Sequence, residues 1–98
     1  MAISSVSEGN KHIIKIDGRF DFSLQSEFRQ AYEPAAASSH FVIDFGGAEY
    51  IDSSALGMLL LLRDHAGGDS ANIEIIHCRN EIKNILEISN FQKLFKIS

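Results

Sequence analysis

One cysteine, one proline and no cluster of basic residues set the first limits on this 98-residue chain. Cys78 alone cannot close an internal disulfide. With neither CxxC nor HxxxH spacing present, no metal site is expected and Cys78 reads as a reduced, half-buried thiol. The formal net charge of −4 without a Lys/Arg run argues against a nucleic-acid backbone or an anionic lipid surface as the main partner. The longest aliphatic run, Met58 to Leu62, is far short of the roughly 20 residues a membrane span needs. The opening Met1-Ala2-Ile3-Ser4-Ser5 lacks a charged region followed by an apolar one, so no secretory signal is expected. Together these absences point to a cytoplasmic protein with no membrane and no direct nucleic-acid partner.

What is present is an ordinary globular composition. At 45% hydrophobic and 22% charged residues, the chain has enough apolar surface to fold rather than stay disordered, and its length suits a single domain over residues 1–98. Alternation over residues 12–17 predicts a strand ending at Gly18. A short strand over 3–6 precedes it, and the connection Ser7-Glu8-Gly9-Asn10 suits a hairpin turn. Asp21 or Ser23 can cap a helix that places Leu24, Phe28, Ala31 and Tyr32 on one face before Pro34 ends it. Residues 41–45 read as a buried strand closed by Gly46-Gly47.

Ser54 to His65 then reads as a helix stopped by Gly67-Gly68. A strand over 72–78 follows, then a third helix capped by Asn80 and carrying Ile82, Ile85, Leu86 and Ile88, with a last short strand over 95–97. The predicted class is α/β, a mixed sheet flanked by helices in the order ββαβαβα(β).

The chemistry concentrates in Asp52-Ser53-Ser54 at the mouth of the second helix. Asp and Ser are strong N-caps, and capping alone accounts for them. No capping box supports it, however, because Ala55, Leu56 and Gly57 stand where Glu or Gln would be needed. A phosphate on a hydroxyl here would meet unpaired N–H groups and the positive end of the helix dipole. It would also add a charge of about −1.5 to −2 beside Asp52. Behind it, Leu56, Leu59 and Leu60 can face the sheet while Met58 and either Leu61 or Leu62 lie near the surface as a partner-binding patch; an all-core placement is the alternative.

These residues carry a resemblance. Phe41-Val42-Ile43-Asp44-Phe45, then Tyr50-Ile51-Asp52-Ser53-Ser54-Ala55-Leu56-Gly57, then Asn90-Phe91-Gln92-Lys93-Leu94-Phe95 resemble the STAS-domain anti-sigma factor antagonists over nearly the whole chain, with Ala55 where the family usually has glycine. Among its branches, the chain looks most like small stand-alone antagonists that work with a response regulator carrying phosphatase and kinase activities. The resemblance implies a STAS-like fold and partner switching. The unmodified protein would bind and sequester an anti-sigma factor or serine kinase, phosphorylation at Ser53 would release it, and a PP2C-type phosphatase would restore binding. In that scheme Asp52, Ser54 and Gly57 belong to the motif and helix start.

Other readings are weaker. A serine-hydrolase elbow needs G-x-S-x-G, which Ile51-Asp52-Ser53-Ser54-Ala55 lacks at both glycines, and His12, His40, His65 and His77 have no spacing that gathers them, so no catalytic residue is assigned. Neither Gly46-Gly47 nor Gly67-Gly68 is followed by the Lys and Ser/Thr of a phosphate loop, and no cofactor is expected. A non-switching STAS docking subunit of a lipid-transport or stressosome-like assembly is the alternative function.

Overall fold

Isoleucines at alternate positions build the centre of the sheet. A computed structural model describes residues 2–98, in which Ile14 and Ile16 of strand β2 (Lys11–Phe20) point into the core while Lys15 between them is exposed. Strand β1 (Ile3–Glu8) pairs antiparallel with it from Ile3↔Ile16 to Glu8↔Lys11, leaving a two-residue turn in which only Gly9 has a left-handed φ, +59°. β3 (His40–Ile51), β4 (Asn72–Ile76) and β5 (Lys96–Ile97) follow, all parallel, and the sheet order β1-β2-β3-β4-β5 repeats the chain order.

That order decides where the helices go. Right-handed crossovers that always step in the same direction put every connecting helix on one face of the sheet. Helices α1 (Gln25–Tyr32), α2 (Ser53–His65) and α3 (Asn80–Ile88) accordingly share one core with Ile14, Phe41, Ile43, Phe45, Ile73 and Ile75. The fold is the mixed α/β arrangement expected. Among the described residues the opposite face carries no helix; Val6, Ile13 and Val42 form a row across it by register, flanked by the pairs His40–Glu74 at 3.5 Å and His77–Asp44 at 3.0 Å.

Several boundaries differ from expectation. β1 extends to Glu8 rather than residue 6. β2 does not stop at Gly18 but passes through it at φ +78°, where the pairing with β3 shifts register, and continues to Phe20. β3 likewise runs through Gly46-Gly47 to Ile51, because β2 supplies a partner along its whole length. Gly47 pairs with Asp17 of β2, whose carboxyl group occupies the space a Cβ on Gly47 would take, so this glycine lies inside the strand pair rather than at a strand end. β4 ends at Ile76, and the next residue, His77, turns left-handed at φ +60°, a conformation uncommon for a residue that carries a Cβ. Asn80 is the first residue of α3 and not its cap; the cap position is Arg79, whose side chain makes no capping bond.

Two histidines fix the far end of α1. His12 Nε2–H donates to the Ala31 carbonyl at 2.6 Å, and His65 Nε2–H donates to that of Ala35 at 3.0 Å. The rings lie against Phe41, with centroids 5.9 and 6.1 Å away. Cys78 is half-buried, and that burial pushes its thiol up to about 11.

Candidate functional site

β3 ends at buried Ile51, and the next residue adopts extended backbone that starts a helix. Asp52 (φ −122°, ψ −176°) is the N-cap of α2: its Oδ1 accepts the Ala55 N–H at 2.9 Å and the Ser54 hydroxyl at 2.6 Å. One carboxylate oxygen therefore serves both the cap and its neighbouring serine. Ser53, the first residue of α2, is exposed, and its side chain makes no hydrogen bond among the described residues. The two adjacent serines are thus unequal: Ser54 is tied down, Ser53 is free.

These bonds set the local charge. The Ser54 hydroxyl, then the Ala55 N–H, hold the Asp52 carboxyl below its ordinary range, and the Ser23 hydroxyl and N–H do the same for Asp21. A carboxyl more acidic in the folded than the unfolded chain contributes stability above the unfolded value of about 3.9 and loses it as pH falls through the folded value. The melting temperature is therefore expected to be flat above about pH 5 and to fall below about pH 4. Thermal melts of wild type and Asp52→Asn between those limits check this, with a smaller acid drop expected in the variant; an equal drop would remove the cap carboxylate from the account.

Along α2, exposed residues recur one turn apart, at Ser53, Gly57 and Leu61. A Cβ at Gly57 would meet nothing within 4 Å, so this glycine fills no steric need inside the fold. Gly57→Ala is expected to raise stability by about 0.5–1 kcal/mol through helix propensity, read by urea unfolding. Loss of stability instead would mean that the glycine relieves a contact.

The buried face of α2 is Ala55, Met58, Leu59 and Leu62, at spacings of three, one and three residues. This corrects the expected patch. Met58 (4% exposed) and Leu62 (0%) belong to the core, and only Leu61 (52%) of the three faces solvent. The expected sheet-facing stripe is corrected as well: Leu59 is buried, Leu56 half-buried and Leu60 exposed. The helix is apolar nearly all round, so periodicity alone leaves its orientation open. Packing against the sheet and the neighbouring helices selects the face that holds Ala55, Met58, Leu59 and Leu62. Between α1 and α2 runs a groove of about 430 Å³ whose lining includes Phe28, Arg29, Tyr32, Met58, Leu61 and His65.

The four histidines do not converge on Ser53. His12 and His65 serve α1, and His40 and His77 pair with carboxylates on the bare sheet face. Among the described residues, no three His, Cys, Asp or Glu side chains gather as metal ligands, and no helix is long and apolar enough to cross a membrane.

A sheet of this order with its helices on one face has counterparts among known proteins. Residues 3–96 match the family described as "Mlab, STAS domain". The chain belongs to the STAS domain family. A STAS-domain containing protein of Pseudomonas aeruginosa (strain UCBPP-PA14) is 52% identical over 101 residues, covering 100% of both chains. An anti-sigma factor antagonist from Mycobacterium paratuberculosis superposes with a TM-score of 0.82 at 16% identity, over 97% of this chain and 82% of that one. The anti-sigma factor antagonist SpoIIAA, in its unphosphorylated form, matches with a TM-score of 0.76 at 14% identity, over 99% and 87% of the two chains. The phosphorylated Bacillus SpoIIAA matches at 0.68 and 12% identity, over 99% and 91%. At these identities the superpositions establish a shared STAS fold.

Some exposed features of this STAS domain escape a sequence reading. Phe22, Tyr50, Leu60 and Ile88 all stand in solvent. For Phe22 a signal did exist: Asp21-Phe22-Ser23 repeats the Asp-x-Ser pattern of Asp52-Ser53-Ser54.

Proposed function

We propose that this STAS domain is an anti-sigma factor antagonist that works by phosphorylation-controlled partner switching, with Ser53 as the phosphoacceptor. The observation that carries the reading is the inequality of the two serines: Ser53 is exposed and unbonded at the first position of α2, while Ser54 is held by Asp52 at 2.6 Å. A phosphate on Ser53 would face the N–H groups of the first helical turn, so the domain can carry it without unfolding. The added charge would change the surface shared with Gly57 and Leu61.

In this reading the unmodified form binds an anti-sigma factor or serine kinase in the cytoplasm, phosphorylation releases it, and a PP2C-type phosphatase, carried by a response regulator in some systems, resets it. Gly57 keeps the helix surface flat one turn from the hydroxyl, which gives a kinase clearance. The net charge of −4 agrees with a protein partner rather than nucleic acid or an anionic membrane. The chain itself performs no catalysis in this scheme.

The test is to incubate the protein with the serine kinases of its genome and ATP, then map the phosphate by mass spectrometry. Label on Ser53 is expected; label elsewhere with Ser53 unmodified would reject the assignment. A second reading, a fixed docking subunit of a larger assembly such as a lipid-transport or stressosome-like complex, draws support from the Mlab description of the matching family. There Ser53 would be only a helix-start residue, and the Ser53→Asp variant would bind normally.

A further inference from the structure

Two neighbouring strand ends in this molecule are built alike. β2 and β3 run parallel and their last register pair is Phe20↔Ile51, so Asp21 and Asp52 follow at the same rim of the sheet. Both have extended backbone, φ −132° and −122°, and both cap a helical turn. Asp21 Oδ1 accepts the Ser23 N–H at 3.0 Å and the Ser23 hydroxyl, as Asp52 Oδ1 accepts the Ser54 hydroxyl at 2.6 Å. In each case the residue between Asp and Ser starts the turn and is exposed. In one strand end that residue is Ser53; in the other it is Phe22.

Phe22 is anomalous for this protein. Of its seven phenylalanines, the other six are at most 5% exposed, while Phe22 is 64% exposed. The capping turn does not require an aromatic ring there, since the matching position holds a serine. A phenyl ring left in water forgoes the stabilisation that burial gives its siblings, and an aromatic side chain of this kind supplies large contact area at low entropic cost when a partner covers it. The ring is flanked by charge. Asp21 lies 3.6 Å from Arg19, whose guanidinium sits 4.1 Å over the Tyr50 ring, whereas Asp52 has no cation within bonding distance among the described residues. Asp21 also acts on Asp52 through space, which sets the two carboxylates in each other's field.

We infer that Phe22 is the anchor by which the unphosphorylated protein docks, its ring filling an apolar socket of the anti-sigma factor whose rim carries Arg or Lys opposite Asp52. The inference rests on the partner-switching reading and explains how the switch reaches the interface. A dianion on Ser53, at the adjoining strand end, lies beside Asp52, a carboxylate with no cation within bonding distance among the described residues, and it must be stripped of water if the socket is to close over Phe22. Release then follows from local charge, with no change of fold.

The experiment titrates purified anti-sigma factors encoded in the same genome, one at a time, against wild type, Phe22→Ala, Ile88→Ala and Ser53→Asp, with a thermal melt of each variant. Ile88 is the control, an apolar side chain 82% exposed on α3, away from the strand ends. Phe22→Ala is expected to weaken binding by about 30-fold or more, as a central aromatic anchor does. Its melting temperature should stay unchanged, and Ile88→Ala should bind as wild type. Binding of Phe22→Ala within about threefold of wild type, with Ser53→Asp still released, overturns the anchor while leaving the switch intact. A large drop in the Phe22→Ala melting temperature makes the ring structural and overturns it too. Should Ser53→Asp bind as tightly as wild type, or no anti-sigma factor bind wild type, the switching reading itself fails.

Discussion

Ser53→Asp is expected to lose partner binding by about 100-fold or more while Ser53→Ala binds permanently, and the domain should stay folded in both. The second half makes the first decisive. The Ser53 hydroxyl has no internal partner among the described residues, so its removal leaves nothing unsatisfied and costs within about 0.5 kcal/mol. An aspartate in the first turn is favoured by the helix dipole by about 0.3–1 kcal/mol, so Ser53→Asp should melt at or slightly above the wild-type temperature. Lost affinity in a protein that is no less stable cannot come from unfolding. Calorimetric titration of the partner into both variants, with a melt of each, reads both quantities. Equal affinities would leave the fixed docking subunit as the better account.

A larger effect on the fold itself is expected one turn into α2's second half. Leu62→Asp should unfold the domain and Leu61→Asp should not, although the residues are adjacent and chemically identical. Leu62 is 0% exposed in the core formed by the sheet and helices, and an unpaired carboxylate there costs several kcal/mol, comparable with the whole stability of a domain of this size. Leu61 is 52% exposed at the edge of the groove between α1 and α2, where the same change costs about 1 kcal/mol or less, mostly helix propensity. Circular dichroism separates the two at once. Binding by Leu61→Asp then tells whether the Ser53–Gly57–Leu61 stripe is a contact surface: weakened affinity supports it, and wild-type affinity removes Leu61 from the interface.

That pair of leucines also shows what is legible in such a sequence. Alternating isoleucines in β2 and β4 and the Gly67-Gly68 stop after α2 specify their elements locally, because each signal is a backbone or face requirement of the segment itself. The helix start at Asp52-Ser53-Ser54 is legible for the same reason. The orientation of α2 is not, since Met58 to Leu62 is apolar on every side and only the sheet beneath chooses which residues are buried. Glycines misled in the other direction. Gly18 and Gly46-Gly47 read as strand ends, yet β2 and β3 hold each other extended through a register shift, a tertiary effect that no local propensity contains. The inequality of Ser53 and Ser54 depends on which hydroxyl reaches the Asp52 carboxylate, and so arises only in the folded chain.

The Cys78 thiol has a practical consequence. With its ionisation pushed up to about 11 by burial, it carries far less thiolate near neutral pH than an exposed cysteine does. A second cysteine placed at the hairpin tip, in the Gly9-Asn10 turn, would outcompete it for a maleimide dye. The native residue could then stay in place while fluorescence follows the association and release of partners.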